Sequence, residues 1–253
     1  MTDKDDILKN FSGRKHDLEQ IKRYSMFPVM YYRTNLYLHS LRVSWLIDEL
    51  EPIAVKTWRK FKSNLAKTLS LVHDDAEIIT GDIQLGHKLE MSAEQLARVV
   101  MEEEKAIKTL SIRFPPKINC LSYKTLLIHA LKKDCLEAQL VSLADKLDAY
   151  GESMHELFAG NKDFITPCTN YIKILKSFPE KYPQLKNFFK HKHPFLSPSP
   201  NFDLFETALK GHYHTPQSIK KLTICPRYNL WKEVSIKKLG KKGVAVLTNK
   251  NED

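Results

Sequence analysis

The chain has 253 residues, of which 42% are hydrophobic and 28% charged, which is long enough to bury a core and too apolar for the disordered class. Its formal charge of +10 sits wholly beyond residue 160, where 17 Lys and Arg stand against 7 Asp and Glu, while the first 160 residues carry 23 of each. No uncharged apolar run approaches the ~20 residues of a membrane-spanning helix, the acidic start MTDKDDILKN has no secretion-signal core, and four widely spaced cysteines form neither a CxxC pair nor a disulfide framework; a cytoplasmic protein with reduced thiols is expected.

Most of the first 190 residues have apolar positions at three- and four-residue spacing with few interior Gly or Pro, so the expected class is all-α. The first dipeptide of interest, His16-Asp17, lies in polar GRKHDLEQ and reads as a solvated helix face. A helix is predicted over 36–50 (LYLHSLRVSWLIDEL), with His39 among apolar neighbours. The next, over 62–80, would end at Gly81 and carries His73-Asp74 at the end of the apolar run LAKTLSLV. A third, over 92–110, starts at Ser92 with Gln95 three residues on as a capping box, and its MEEEKAIK stretch reads as a solvated face. The last long segment, 122–158, is predicted to break near Lys133 and carries Asp145 in VSLADKLDAY.

Pro-rich HPFLSPSP at 193–200 cannot continue a helix and is the best boundary, dividing a core, 1–192, from a basic C-terminal extension, 193–253. Within the extension a helix is expected over 202–212 and a small sheet or hairpin after Thr215.

Burying an imidazole or a carboxylate on an apolar helix face costs desolvation energy that a partner must offset. A single such histidine is more often a satisfied core residue, and a single such aspartate more often pairs with Lys or Arg. Here three helices offer, in order, a histidine, a His-Asp pair and an aspartate, and packing those helices together would converge His39, His73, Asp74 and Asp145 on one metal. Two neutral imidazoles with two carboxylates form a mixed N/O site with room for water and a phosphate oxygen, suited to one divalent transition metal (Mn, Co, Fe, Ni or Zn) rather than Ca²⁺.

The pattern H…HD…D, with HDDAEIITGD after the second histidine and LADKLDAY around the last aspartate, resembles the HD-domain superfamily and within it the bacterial 5′-deoxynucleotidase (YfbR-like) branch. Upstream, IKRYSMFPVMYYRTNLYLHS is similar to that branch's segment between a phosphate-binding arginine and the first metal histidine. The resemblance covers roughly residues 20–160. It implies an HD-domain helical bundle, a metal held by His39, His73, Asp74 and Asp145, and release of phosphate from (deoxy)nucleoside 5′-monophosphates by a metal-activated water.

By the same resemblance Glu77 is the acid/base candidate and Asp82, of the following Gly-Asp, assists the water or the sugar. Arg23 takes the place of the phosphate clamp, with Arg33 second, because a guanidinium presents paired donors to phosphate oxygens. Tyr24 stands where the branch usually has the tryptophan that restricts the sugar, and Leu38 where a glutamate is common. A homodimer is expected from the resemblance alone. Other substrates remain open: nucleoside triphosphates, cyclic nucleotides or alarmones. So does a metal-binding sensor role, or a nucleic-acid contact through the basic extension, whose KKLTICPRYNLWKE and KKLGKKG mix cations with aromatics. The sequence has no P-loop, dinucleotide-binding or nucleophile-elbow motif.

Overall fold

The computed structural model describes residues 3–28, 34–158 and 161–191. Arg33, the boundary at 193, the helix expected over 202–212 and the hairpin expected after Thr215 lie outside the described residues.

The helices, in chain order, are α1 (Asp3–Ile7), α2 (Arg14–Gln20), α3 (Leu36–Thr57), α4 (Ser63–Val72), α5 (Glu77–Thr80), α6 (Leu85–Glu90), α7 (Ala93–Arg113), α8 (Tyr123–Lys132), α9 (Leu136–Phe158) and α10 (Ile165–Lys181). Among the described residues the only strands are two-residue segments, Lys117–Ile118 and Leu121–Ser122, paired antiparallel, so the all-α reading holds. No helix among the described residues is long and apolar enough to cross a membrane.

Several helix ends follow from local chemistry visible in the sequence. Asn35 caps α3, its side chain accepting from the Leu38 N–H; Ser92 and Gln95 form the reciprocal capping box of α7; and Ser122 caps α8. The break expected near Lys133 is a left-handed residue there, φ 51°, which closes α8 before α9 begins.

Two expectations are corrected. First, α3 does not stop at Leu50 but continues to Thr57 through Pro52. Proline removes one amide donor and crowds the carbonyl four residues back; the remaining ladder around it carries the helix past that defect. Second, the segment 62–80 is not one helix. After Val72 the ladder changes register: Asp75 N–H bonds Val72 O, Glu77 bonds Asp74 O, Ile78 bonds Asp75 O and Ile79 bonds Ala76 O. These are three-residue, 3₁₀-type bonds, and Gly81, at φ 74°, ends the short α5 with its N–H on Glu77 O. The interruption falls on the HDD triplet.

The chain forms two compact units, Met1–Arg23 with Thr34–Asp145, and Tyr24–Arg33 with Lys146–Asp253. In the first, α3 packs on α4 and α2, α4 on α8, and α7 on α8 and α5. Its core includes Leu36, Val43, Ile47 and Leu50 of α3, Leu69 and Val72 of α4, Leu126 of α8, and Leu140 and Ala144 of α9. The second unit buries Tyr150, Met154, Phe164, Cys168, Phe178 and Phe188.

Within the first unit Arg14 is buried against Asp75: Nε bonds Oδ2 at 2.7 Å and Nη2 bonds Oδ1 at 2.6 Å, while Nη2 also donates to the Leu71 carbonyl. The Tyr123 hydroxyl donates to Asp75 Oδ2 at 2.8 Å. Phe11 stacks beside this group, 5.3 Å from Phe114 and 5.1 Å from Tyr123 between ring centroids. α2, the 73–76 turn and α8 are thus joined through one carboxylate.

Candidate metal centre

His39 lies one turn into α3 and is fully buried. Its Nε2 is 3.3 Å from Asp74 Oδ2 and 3.2 Å from Asp145 Oδ1, the latter reaching in from α9. His73 follows α4 directly. Its Nδ1 is 2.9 Å from the Ser70 carbonyl, which can only accept, so Nδ1 carries the proton and Nε2 presents its lone pair. That Nε2 is 3.3 Å from Asp74 Oδ2, out of solvent, and has no hydrogen-bond partner among the described residues.

Donors bound to one cation at about 2.1 Å stand roughly 3–3.4 Å apart, which is the spacing seen here. The four residues singled out from the sequence are therefore brought together, with His39, His73 and Asp74 alone already satisfying a common ligand distance. The orphaned, buried His73 Nε2 beside the Asp74 carboxylate fits a divalent cation; without one, a buried acceptor of this kind costs free energy.

The protonation states suit ligation. Burial, chiefly, pushes His73 down, against the pull of Asp74, so the ring is neutral near pH 7. Burial works to raise Asp74, but His73 and the hydrogen bond and charge of His39 outweigh it and hold the carboxyl well below the usual carboxylate range.

Glu77 behaves oppositely. Burial, then repulsion from Asp74 and Asp82, raises it well above the ordinary glutamate value, with Lys88 and Arg23 opposing. Its Oε2 is out of solvent and has no hydrogen-bond partner among the described residues. Asp82 is also raised, by burial first and Asp74 next, with Arg23 and Lys88 lowering it. The 3₁₀ turn has a further consequence: with three residues per turn, Glu77 aligns with Asp74 three positions back, rather than with His73 four back as one α-helix would have had it. The pKa values of two carboxyl groups of one segment are thereby pushed in opposite directions.

Arg23 is 7% exposed, in a segment tied to the start of α3 by Arg23 N–H to Thr34 O and Leu36 N–H to Ile21 O. It is near enough to act on both Glu77 and Asp82. Tyr24 belongs to the second unit, is buried at φ 52°, and its hydroxyl donates to Ala149 O, with Ser153 Oγ 2.8 Å away. His16 is exposed on α2 and Asp17 pairs with Arg113, as expected of a solvated face. Sequence reasoning missed Asp75, Arg14 and Tyr123, which hold the turn bearing two of the candidate ligands, and Lys88, which pulls on both raised carboxyls. The doubled aspartate of HDD was the one available signal, since a second carboxylate beside a ligand needs its own counter-charge.

A helical bundle converging H…HD…D on one point defines a metal-dependent phosphohydrolase of the HD class. The family model described as 5′-deoxynucleotidase YfbR-like matches residues 10–196, and the chain belongs to that family. It is 33% identical over 153 residues to a 5′-deoxynucleotidase of Pectobacterium atrosepticum, covering 58% of this chain and 74% of that protein. It is 32% identical over 157 residues to a 5′-deoxynucleotidase of Yersinia pestis, covering 58% and 75%. Among solved structures, an HD-domain phosphohydrolase of Listeria innocua superposes with TM-score 0.60 at 20% identity, covering 85% of this chain and 98% of that one. A conserved hypothetical protein of Pyrococcus furiosus does so with TM-score 0.53, also at 20% identity, covering 81% and 98%. Both structural matches bear on fold. The protein is a metal-dependent hydrolase of nucleotide phosphomonoesters.

Proposed function

We propose that the protein is a cytoplasmic enzyme that releases inorganic phosphate from deoxynucleoside 5′-monophosphates, with His39, His73, Asp74 and Asp145 holding one Mn²⁺, Co²⁺, Fe²⁺, Ni²⁺ or Zn²⁺. The observation that carries the reading is the 3.2–3.3 Å clustering of imidazole nitrogens and carboxylate oxygens, with Glu77 near it pushed well above the ordinary glutamate value by burial and by Asp74. A bound divalent metal would supply Lewis acidity and lower the pKa of a water toward ~7.

The protein's own groups do the rest. Arg23 offers paired donors to the phosphate oxygens, neutralising charge that would otherwise oppose attack. Glu77, whose protonated form is favoured by burial and by the neighbouring carboxylates, donates its proton to the departing 5′-oxygen. Asp82 accepts from the attacking water or the sugar and orients it. Tyr24, and Arg33 after Arg23, are carried over as sugar- and phosphate-contacting residues from family position.

The test is phosphate release from a panel of ribo- and deoxyribonucleoside 5′-monophosphates with Mn²⁺, Co²⁺, Zn²⁺ or chelator, comparing wild type with Asp74→Ala. Release that needs both metal and Asp74 is expected, with deoxynucleotides preferred. Full turnover in a metal-free Asp74→Ala protein would refute the assignment. Triphosphates, cyclic nucleotides and alarmones in the same panel, with products identified, separate those substrates.

A further inference from the structure

A second group of metal-type donors stands apart from the HD ligands in sequence and shares no residue with them. His129 is in the last turn of α8, and Asp134 and Cys135 occupy the connection to α9. Imidazole, carboxylate and thiol each offer an atom here, all within 4.8 Å of one another. We propose that His129, Asp134 and Cys135 form a second metal site, taking a borderline-soft divalent cation of the Zn²⁺ type with water in the fourth position.

The backbone brings these residues together before any cation arrives. Lys133 is left-handed at φ 51°, and its N–H bonds the His129 carbonyl at 2.8 Å. That turn returns the chain so that Asp134 Oδ1 comes within 2.6 Å of His129 Nδ1. The Lys133 ammonium donates back to the carbonyls of Ala130 and Leu131, 3.2 and 3.4 Å away. Cys135 directly precedes α9, its carbonyl accepting the first bond of the new helix from Gln139.

Tetrahedral zinc holds N, O and S donors at about 2.0–2.3 Å, which places them roughly 3.3–3.6 Å apart. The site reaches that geometry by letting the 2.6 Å His129–Asp134 contact open and the sulfur close, both by rotation of side chains that are only partly buried. Electrostatics favour a cation in this place. Burial first, then the charges of Glu137 and Asp134, disfavour a free thiolate at Cys135, against the Ala138 N–H, which favours it; a divalent ion reverses each of those repulsions. Thiolate and imidazole select Zn²⁺ over Mg²⁺ or Ca²⁺. The bound ion would staple the end of α8 to the start of α9, the helix that carries Asp145 ten residues on. The inference does not rest on the phosphohydrolase chemistry.

Two measurements on the full chain test it. Added Co²⁺ should give the thiolate-to-cobalt charge-transfer band in wild type and in Asp74→Ala, and the band should be lost in Cys135→Ser and in His129→Ala while phosphate release by Cys135→Ser persists. Independently, without substitution, saturating Zn²⁺ should slow alkylation of Cys135, located by peptide mass mapping, by about tenfold or more, because a ligated thiolate is no longer a free nucleophile, and Mg²⁺ should not. No band in wild type, a band undiminished in Cys135→Ser, or alkylation of Cys135 at the same rate with and without Zn²⁺ would each overturn the proposal.

Discussion

Replacing Arg14 by Met removes the charge partner of a carboxylate with no solvent exposure and leaves the Tyr123 hydroxyl as the one donor still bonded to it among the contacts described above. Removing one member of a buried ion pair costs about 3–5 kcal/mol, because the remaining charge stays buried. For a chain of this size, with roughly 2–4 °C per kcal/mol, the loss corresponds to a fall in Tm of about 6–20 °C. The effect should not stop at stability. Asp75 is the residue after Asp74 and two after His73, so freeing it loosens the turn that aims both ligands, and groups in this supporting position typically change metal affinity about 10–100-fold. The assay is thermal unfolding of the metal-free protein, to read stability alone, followed by competition with a chelating dye to read metal affinity. The double variant Arg14→Met/Asp75→Leu should recover part of the stability, since an apolar pair no longer buries a lone charge, and should not recover metal affinity. A Tm fall under about 3 °C for Arg14→Met, or a double variant as unstable as the sum of the singles, would refute the account of Asp75 as a buried, charge-dependent anchor.

Arg23→Ala should lower kcat/KM by roughly ten- to a hundredfold, the worth of a charge-assisted hydrogen bond, with metal content unchanged by elemental analysis. Glu77→Gln should slow turnover yet raise the Tm of the metal-free protein at pH 7. The folded-state value of Glu77 lies above its ordinary one, so its ionisation penalises the folded state as pH rises past 4.5, and the gain in Tm should vanish below about pH 4. Ser92→Ala, which removes half of the α7 capping box, should cost about 1 kcal/mol with kcat unchanged.

The legible parts of this structure are those written in local chemistry or in strongly ordered motif. Asn35 aside, the caps at Ser92 and Ser122 and the break at Lys133 are short-range signals, and the sequence reading located those helix ends within a residue or two. His39, His73, Asp74 and Asp145 were legible because each ionisable group interrupts an apolar helix face and the order of the four is distinctive. The 3₁₀ interruption at 73–76 was not legible. Its residues have no helix breaker among them, and the apolar spacing of LAKTLSLV runs into EIIT without a visible fault; the register change is accompanied by tertiary anchoring of Asp75 by Arg14, 61 positions away. The continuation of α3 past Pro52 was missed for the complementary reason, a strong local rule outweighed by packing: Ala54, beyond the proline, is fully buried. Lys88 gave no signal at all, being one lysine among many until the fold sets it beside two carboxyls.

The tightened turn also determines what kinds of change this stretch tolerates. An α-helix advances about 100° per residue and a 3₁₀ turn about 120°, so the few residues from His73 to Ala76 shift the angular phase of everything after them by several tens of degrees relative to α4. At that phase Glu77 lies close enough to Asp74 and Asp82 to feel both charges. A substitution at Ala76 can be absorbed by neighbouring side chains, but one inserted or deleted residue would turn Glu77 through more than a quarter of a circle while leaving His73 and Asp74 in place. Such a length variant would keep its candidate ligands and turn Glu77 away from them, so the distance in sequence from His73 to Glu77 is a stricter requirement than the identity of Ala76.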